Sequence, residues 1–214
     1  MTLSNTTVKM RRTAVVVAVL LLAATFGWTR PGLSATHAPA KATAMSAHRS
    51  AGLTHQLALA RAATAKYATN LQRAKKDGYM IITQAMPGMG YHYLNPNITG
   101  FDVRKPAILV YEHTSTGWQL GALEWVFPSM PTKPTLPHAT YGFFPAACHY
   151  KDGTFTPAGA QSDCAAKSPS SGSAFNFWHP PLYTMHVWIW YPNPDGLYSS
   201  TNPLVDPFTN SSTM

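Results

Sequence analysis

Leu53, Leu57, Ala60, Thr64, Tyr67, Leu71 and Ala74 recur at alternating spacings of four and three, which puts them on one face of a helix over 53–76. Arg61, Lys66 and Arg73 fall on the solvated side, Lys75 and Lys76 suit the C-terminal end of the dipole, and Asp77-Gly78 supplies the stop. Beyond Gly78 the period moves towards two. A short apolar run at 79–82 precedes the turn Pro87-Gly88-Met89-Gly90, which opens a strand at 91–94. Segments 107–113 and 118–127 form a hairpin over Thr114–Gly117, with His113 opposite Trp118, Glu112 opposite Gln119 and Tyr111 opposite Leu120. Four prolines between 128 and 137 make a rigid connection without strand character. The stretch 138–177 reads as irregular, and 183–191 as the central strand, closed by the turn Asn193-Pro194-Asp195-Gly196.

These elements predict an α+β fold: one long N-terminal helix packed on a small antiparallel sheet, with long Pro/Gly-rich loops. The expected organisation is an export signal over 1–40, a flexible linker over 41–52, a single domain over 53–207 and a disordered tail over 208–214. Lys9, Arg11 and Arg12 precede an apolar run at 13–27. That run is shorter than the roughly twenty residues a spanning helix needs, so it reads as a signal peptide, with an uncleaved anchor as the alternative. The expected location is therefore outside the cytoplasm, with membrane contact only through an uncleaved N-terminal segment.

Charge sharpens this picture. The formal charge of +8 is concentrated in residues 1–76, which hold eleven Lys/Arg and no acid, whereas 77–214 hold five Lys/Arg and eight acids. The folded body is thus acidic, without a basic patch interleaved with aromatics, and no nucleic-acid partner is expected. Cys148 and Cys164 lie sixteen apart. In an oxidising compartment they would close a disulfide worth about 3 kcal/mol, whereas a cytosolic chain would keep two thiols.

Candidate chemistry rests on histidines and carboxylates. Strand alternation points Met185, Val187 and Ile189 towards the helix and His186, Trp188 and Trp190 the other way. His92 sits between Tyr91 and Tyr93 in the strand after Gly90. The hairpin register places Glu124 on the face of Tyr111 and His113, with Glu112 opposite unless a bulge intervenes. A cooperating Glu112–Glu124 pair, and with it a two-carboxylate glycosidase, is disfavoured. The expected site is a metal centre of His92, Glu124 and His186, a ligand set suited to zinc, copper or iron, or else an acid–base pair built from the same groups. The expected ligand pocket around it is lined by Tyr91, Tyr93, Trp188 and Trp190. Histidines that are merely hydrogen-bonded are the plain alternative. His149 and His179 are secondary candidates. No G-x-S-x-G, S-x-x-K, phosphate loop or dinucleotide fingerprint occurs. Three functions stay open: a metal-ion or small-ligand binding domain, a structural or cell-envelope interaction protein, and a His/Glu enzyme.

The segments A-T-A-K-Y (63–67), D-G-Y (77–79), M-G-Y-H-Y-L-N-P (89–96), L-E-W (123–125), H-V-W-I-W (186–190), N-P-D-G (193–196) and N-P (202–203) resemble a family of exported bacterial proteins of unassigned activity. The resemblance spans most of 60–205, with the Cys148–Cys164 loop outside the common pattern. It implies a signal peptide and a small helix-plus-sheet domain, and no substrate, cofactor or catalytic residue.

Overall fold

The computed structural model describes residues 40–209. The export segment expected over 1–40 and the tail expected over 208–214 lie outside it, apart from Ala40 and the last residues of a C-terminal turn. No described helix is long and apolar enough to cross a membrane.

Helix α1 (Ala40–Thr64) takes in the stretch expected as linker. The continuous helix predicted to residue 76 is broken by a 3₁₀ turn (Ala65–Tyr67) before α2 (Leu71–Lys76). Asn70 caps α2 by accepting from the Arg73 amide, and Gly78 takes the left-handed φ of 99° that ends it. The break ties the helices to the sheet beneath. The Ala68 carbonyl accepts from the Leu120 amide at 2.7 Å, the Tyr67 carbonyl from the Tyr111 hydroxyl at 2.8 Å, and Thr64 Oγ1 from the Trp190 indole at 3.0 Å.

Among the described residues, nine strands in two antiparallel sheets make up the body, which overturns the expectation of one long helix on a small sheet. The larger sheet comprises β1 (Met80–Met86), β2 (Gly90–Leu94), β3 (Ile108–Thr114), β4 (Gly117–Phe127), β5 (Gly142–Phe144) and β9 (Leu182–Val187), in the order β1-β2-β3-β4-β9-β5. The smaller holds β6 (Ala147–Tyr150), β7 (Phe155–Pro157) and β8 (Phe175–His179), in the order β7-β6-β8. The region expected to be irregular, 138–177, supplies β5 to β7 and most of β8. Strands of three to five residues are too short to express a period of two, and their order comes from tertiary pairing and from the Cys148–Cys164 disulfide. A disulfide fits an oxidising, extracellular setting.

The two faces of the large sheet have separate cores. Leu109, Tyr111, Leu123, Trp125, Met185 and Val187 pack with Ala60, Tyr67 and Leu71 of the helical layer. Ile82, Ile108, Val110, Ala122 and Trp188 form a second cluster on the opposite face.

The β3–β4 hairpin pairs Tyr111 with Leu120, Glu112 with Gln119 and His113 with Trp118. Between Val110 and Tyr111 the register shifts, so that Val110 pairs with Ala122 and Gly121 is the extra residue of a bulge. This corrects the face assignment. Glu124 pairs with Ile108 and lies away from Tyr111, while Glu112 shares the face of Ile108 and Val110, and therefore that of Glu124. The room for the Glu112 carboxyl comes from two glycines. A Cβ at Gly90 would collide with Glu112 and the Tyr111 carbonyl, and one at Gly121 would lie 3.2 Å from Trp188 and 3.6 Å from Glu112 Oε1.

Candidate metal centre

Three strands bring three side chains to one spot. His92 pairs with Val110 across β2–β3, and Glu124 pairs with His186 across β4–β9, all on the face away from the helices. The alternation of β2, β4 and β9 therefore aims all three inward over Ile108 and Val110. His92 is 5 % exposed, Glu124 3 % and His186 7 %. The His92 and His186 Nε2 atoms are 3.4 Å apart, His186 Nε2 is 3.4 Å from Glu124 Oε1, and His92 Nε2 is 3.8 Å from Glu124 Oε2.

Hydrogen bonds fix the His92 ring from behind. Its Nδ1 lies 2.7 Å from Thr83 Oγ1, which also accepts from the His92 amide at 3.2 Å. Burial lowers the His92 imidazole to about 4, with the opposing pull of Glu124 outweighed and the neighbouring His186 adding to the lowering. The ring is thus neutral near pH 7, and its contact with Glu124 is no ion pair. The tautomer that carries its proton on Nδ1 and donates it to Thr83 Oγ1 presents the Nε2 lone pair to His186 and Glu124. Glu124 Oε2 is buried and has no hydrogen-bond partner. A buried acceptor in that state is costly, and a cation between the three groups would satisfy it.

The spacing suits such an ion. Ligands about 2.0–2.1 Å from a tetrahedral zinc are separated by about 3.3–3.4 Å, close to the 3.4 Å edges found here. These are the described His, Cys, Asp and Glu residues whose ligand atoms gather in a group of three or more, all within 4.8 Å of one another.

The triad opens on a cavity of about 870 Å³ between the two sheets. Most of its wall is apolar, from residues such as Ile82, Met86, Leu94 and Phe177, and its other titratable groups are His149 and His179. Both sequence candidates of second rank therefore belong to the site's surroundings. His149 Nδ1 donates to the Ile82 carbonyl at 2.8 Å, and burial lowers its imidazole to about 4.

None of the four expected pocket residues lines this cavity. Tyr91 and Tyr93 alternate with His92 and therefore face the helical layer, where both ring edges meet Trp118 at 5.0 and 6.2 Å. Trp190 lies there too, because β9 ends at Val187 and the Ile189 amide turns back to the Val187 carbonyl at 3.1 Å. Its ring packs under the Arg61 guanidinium at 4.3 Å. Trp188 stays on the site's face but is closed off among Ile108, Val110 and Ala122, with its indole donating to the Ser199 carbonyl at 2.8 Å.

Sequence reasoning missed the state of Glu112. Its side chain is fully buried, neither carboxyl oxygen has a hydrogen-bond partner, and burial raises it to about 8. The Gly121 between Leu120 and Ala122 was the available signal, since an isolated glycine in a strand marks a bulge.

No protein-family profile, curated protein or solved structure matches the chain. The reading of the site accordingly rests on its own geometry.

Proposed function

We propose that this chain is a metal-binding protein in which Nε2 of His92, Nε2 of His186 and the Glu124 carboxylate hold one transition-metal ion, with a coordination position left for a small ligand from the cavity. The observation that carries the reading is the buried convergence of two imidazole nitrogens and a carboxylate from three strands, with Glu124 Oε2 otherwise unsatisfied. Two histidines and one carboxylate suit zinc or iron(II), and copper takes the same imidazoles. When bound, the ion would act as a Lewis acid on an oxygen or nitrogen of the ligand.

A three-ligand centre facing a ligand-sized cavity supports a binding or catalytic role over a purely structural one, because structural zinc sites are closed by four protein ligands. An extracytoplasmic location belongs to the same proposal. The disulfide supports it, as does the positively charged, apolar N-terminal sequence.

Equilibrium dialysis of the full chain against zinc, copper and iron(II) tests the reading. One ion should bind per chain in the wild type and none in a His92→Ala/His186→Ala variant. Equal uptake by both proteins overturns it.

A further inference from the structure

Away from the triad residues, part of the cavity wall comes from β6 and β8 of the smaller sheet and from Phe144 of β5, and it is a set of stacked rings. His149 lies on Phe177 with centroids 4.8 Å apart and planes 9° from parallel. His179 stacks on Phe144 at 5.4 Å and lies 5.1 Å from His149. All four residues line the cavity. Rings stacked on one another in this way spend their faces on each other, and a ligand with a π-face of its own meets them in the edge-to-face arrangement that aromatic pairs favour.

The same wall has a defined hydrogen-bonding sense. His149 Nδ1 pairs with the Ile82 carbonyl at 2.8 Å and His179 Nδ1 with the Pro180 carbonyl at 2.7 Å. A carbonyl only accepts, so each Nδ1 carries the proton and each Nε2 is left as an acceptor. Such a wall welcomes a neutral O–H donor. It opposes a carboxylate, whose oxygens would face the imidazole lone pairs, and in an otherwise apolar cavity an unmatched anion is costly.

We infer that the cavity binds an aromatic alcohol of the phenol class, its ring against the Phe144–Phe177 wall and its hydroxyl donating to Nε2 of His149 at the triad end. The inference rests on the metal reading only for ligation of the hydroxyl oxygen by the ion. Ring recognition and the His149 contact do not require it. Nothing is transferred or oxidised in this step, which is binding alone.

The test uses 2-naphthol, naphthalene and 2-naphthoate as fluorescent probes of the full chain, metal-free and zinc-loaded, in the wild type and in His149→Phe, a change that keeps the ring stack. Zinc binding is titrated on the same samples. The wild type should bind 2-naphthol about tenfold or more tighter than naphthalene, the discrimination that one satisfied buried hydrogen bond gives. It should also prefer 2-naphthol to 2-naphthoate, and His149→Phe should bind 2-naphthol and naphthalene alike.

Equal wild-type affinities for 2-naphthol and naphthalene, tighter binding of 2-naphthoate, or no binding of any probe overturns the inference, even where zinc binds. A 2-naphthol preference that persists while zinc fails to bind overturns the metal reading and upholds the aromatic-alcohol site. The wild-type comparison decides the matter if His149→Phe does not fold.

Discussion

His92 and His186 are ninety-four residues apart in the chain, yet their Nε2 atoms face each other at 3.4 Å beneath the Glu124 carboxylate. Where neither Nε2 carries a proton, two imidazole lone pairs and a buried carboxylate face one another with no donor between them. A cation converts that arrangement from frustrated to satisfied.

Zinc should therefore stabilise the protein as well as bind it. A ligand present at a hundredfold its Kd adds about 2.7 kcal/mol by mass action. For a chain of this size, that corresponds to a rise in Tm of about 5–10 °C. Differential scanning fluorimetry with and without zinc reads it, and His186→Ala should show no rise.

Glu124→Gln separates the metal-free from the metal-loaded protein. It keeps the shape, replaces an unsatisfied buried acceptor with a neutral amide, and removes the anionic ligand. Without zinc its Tm should equal or exceed that of the wild type. With zinc the order should reverse, since only the wild type gains. A Glu124→Gln variant that still gains the full zinc shift would remove Glu124 from the ligand set.

Glu112 carries a pH dependence. Its folded pKa of about 8 lies above the ordinary 4.5, so the folded protein keeps a proton that the unfolded chain loses between those values. Stability should then fall as pH rises from about 4.5 to 8 and change no further above that. The upper bound of the effect is about 5 kcal/mol. Urea melts across this range should show the decline in the wild type, and Glu112→Gln should flatten it while matching the wild type near pH 4.5.

Gly90→Ala should destabilise by more than about 1 kcal/mol, because it adds a Cβ at positive φ where the Tyr111 carbonyl and the Glu112 carboxyl already lie. The clash is with backbone on one side, so side-chain movement cannot relieve it. The cost should persist in the Gly90→Ala/Glu112→Ala double variant, though reduced. Urea denaturation of the two variants measures the difference.

Much of the large sheet was legible because its strands are long and flanked by turns. The hairpin register around Thr114 to Gly117, and the helix-facing side of Met185 and Val187, follow from alternation alone. His92 and His186 came together because alternation put each on its strand's outer face and the pairing of β2, β3, β4 and β9 aligned those faces. Glu124, expected beside Tyr111 and His113, joins them because the Gly121 bulge sets it on the face opposite Tyr111. What alternation cannot see is an extra residue or an early end. The Gly121 bulge moved Glu112 onto the site's face, and the end of β9 at Val187 carried Trp190 round to the helices. The smaller sheet was hidden because its strands are short and held by a disulfide and by long-range pairing, as between Gln84 and Gly153 at 2.9 Å. His149 and His179 could not be placed at the cavity without it.

The most direct measurement is elemental analysis of the protein isolated from an oxidising compartment without a histidine tag, beside the His92→Ala/His186→Ala variant. The account predicts close to one equivalent of a single transition metal in the wild type and background levels in the variant. Background metal in both, with no Tm change on adding zinc, copper or iron(II), would contradict it and leave the two histidines as buried packing groups.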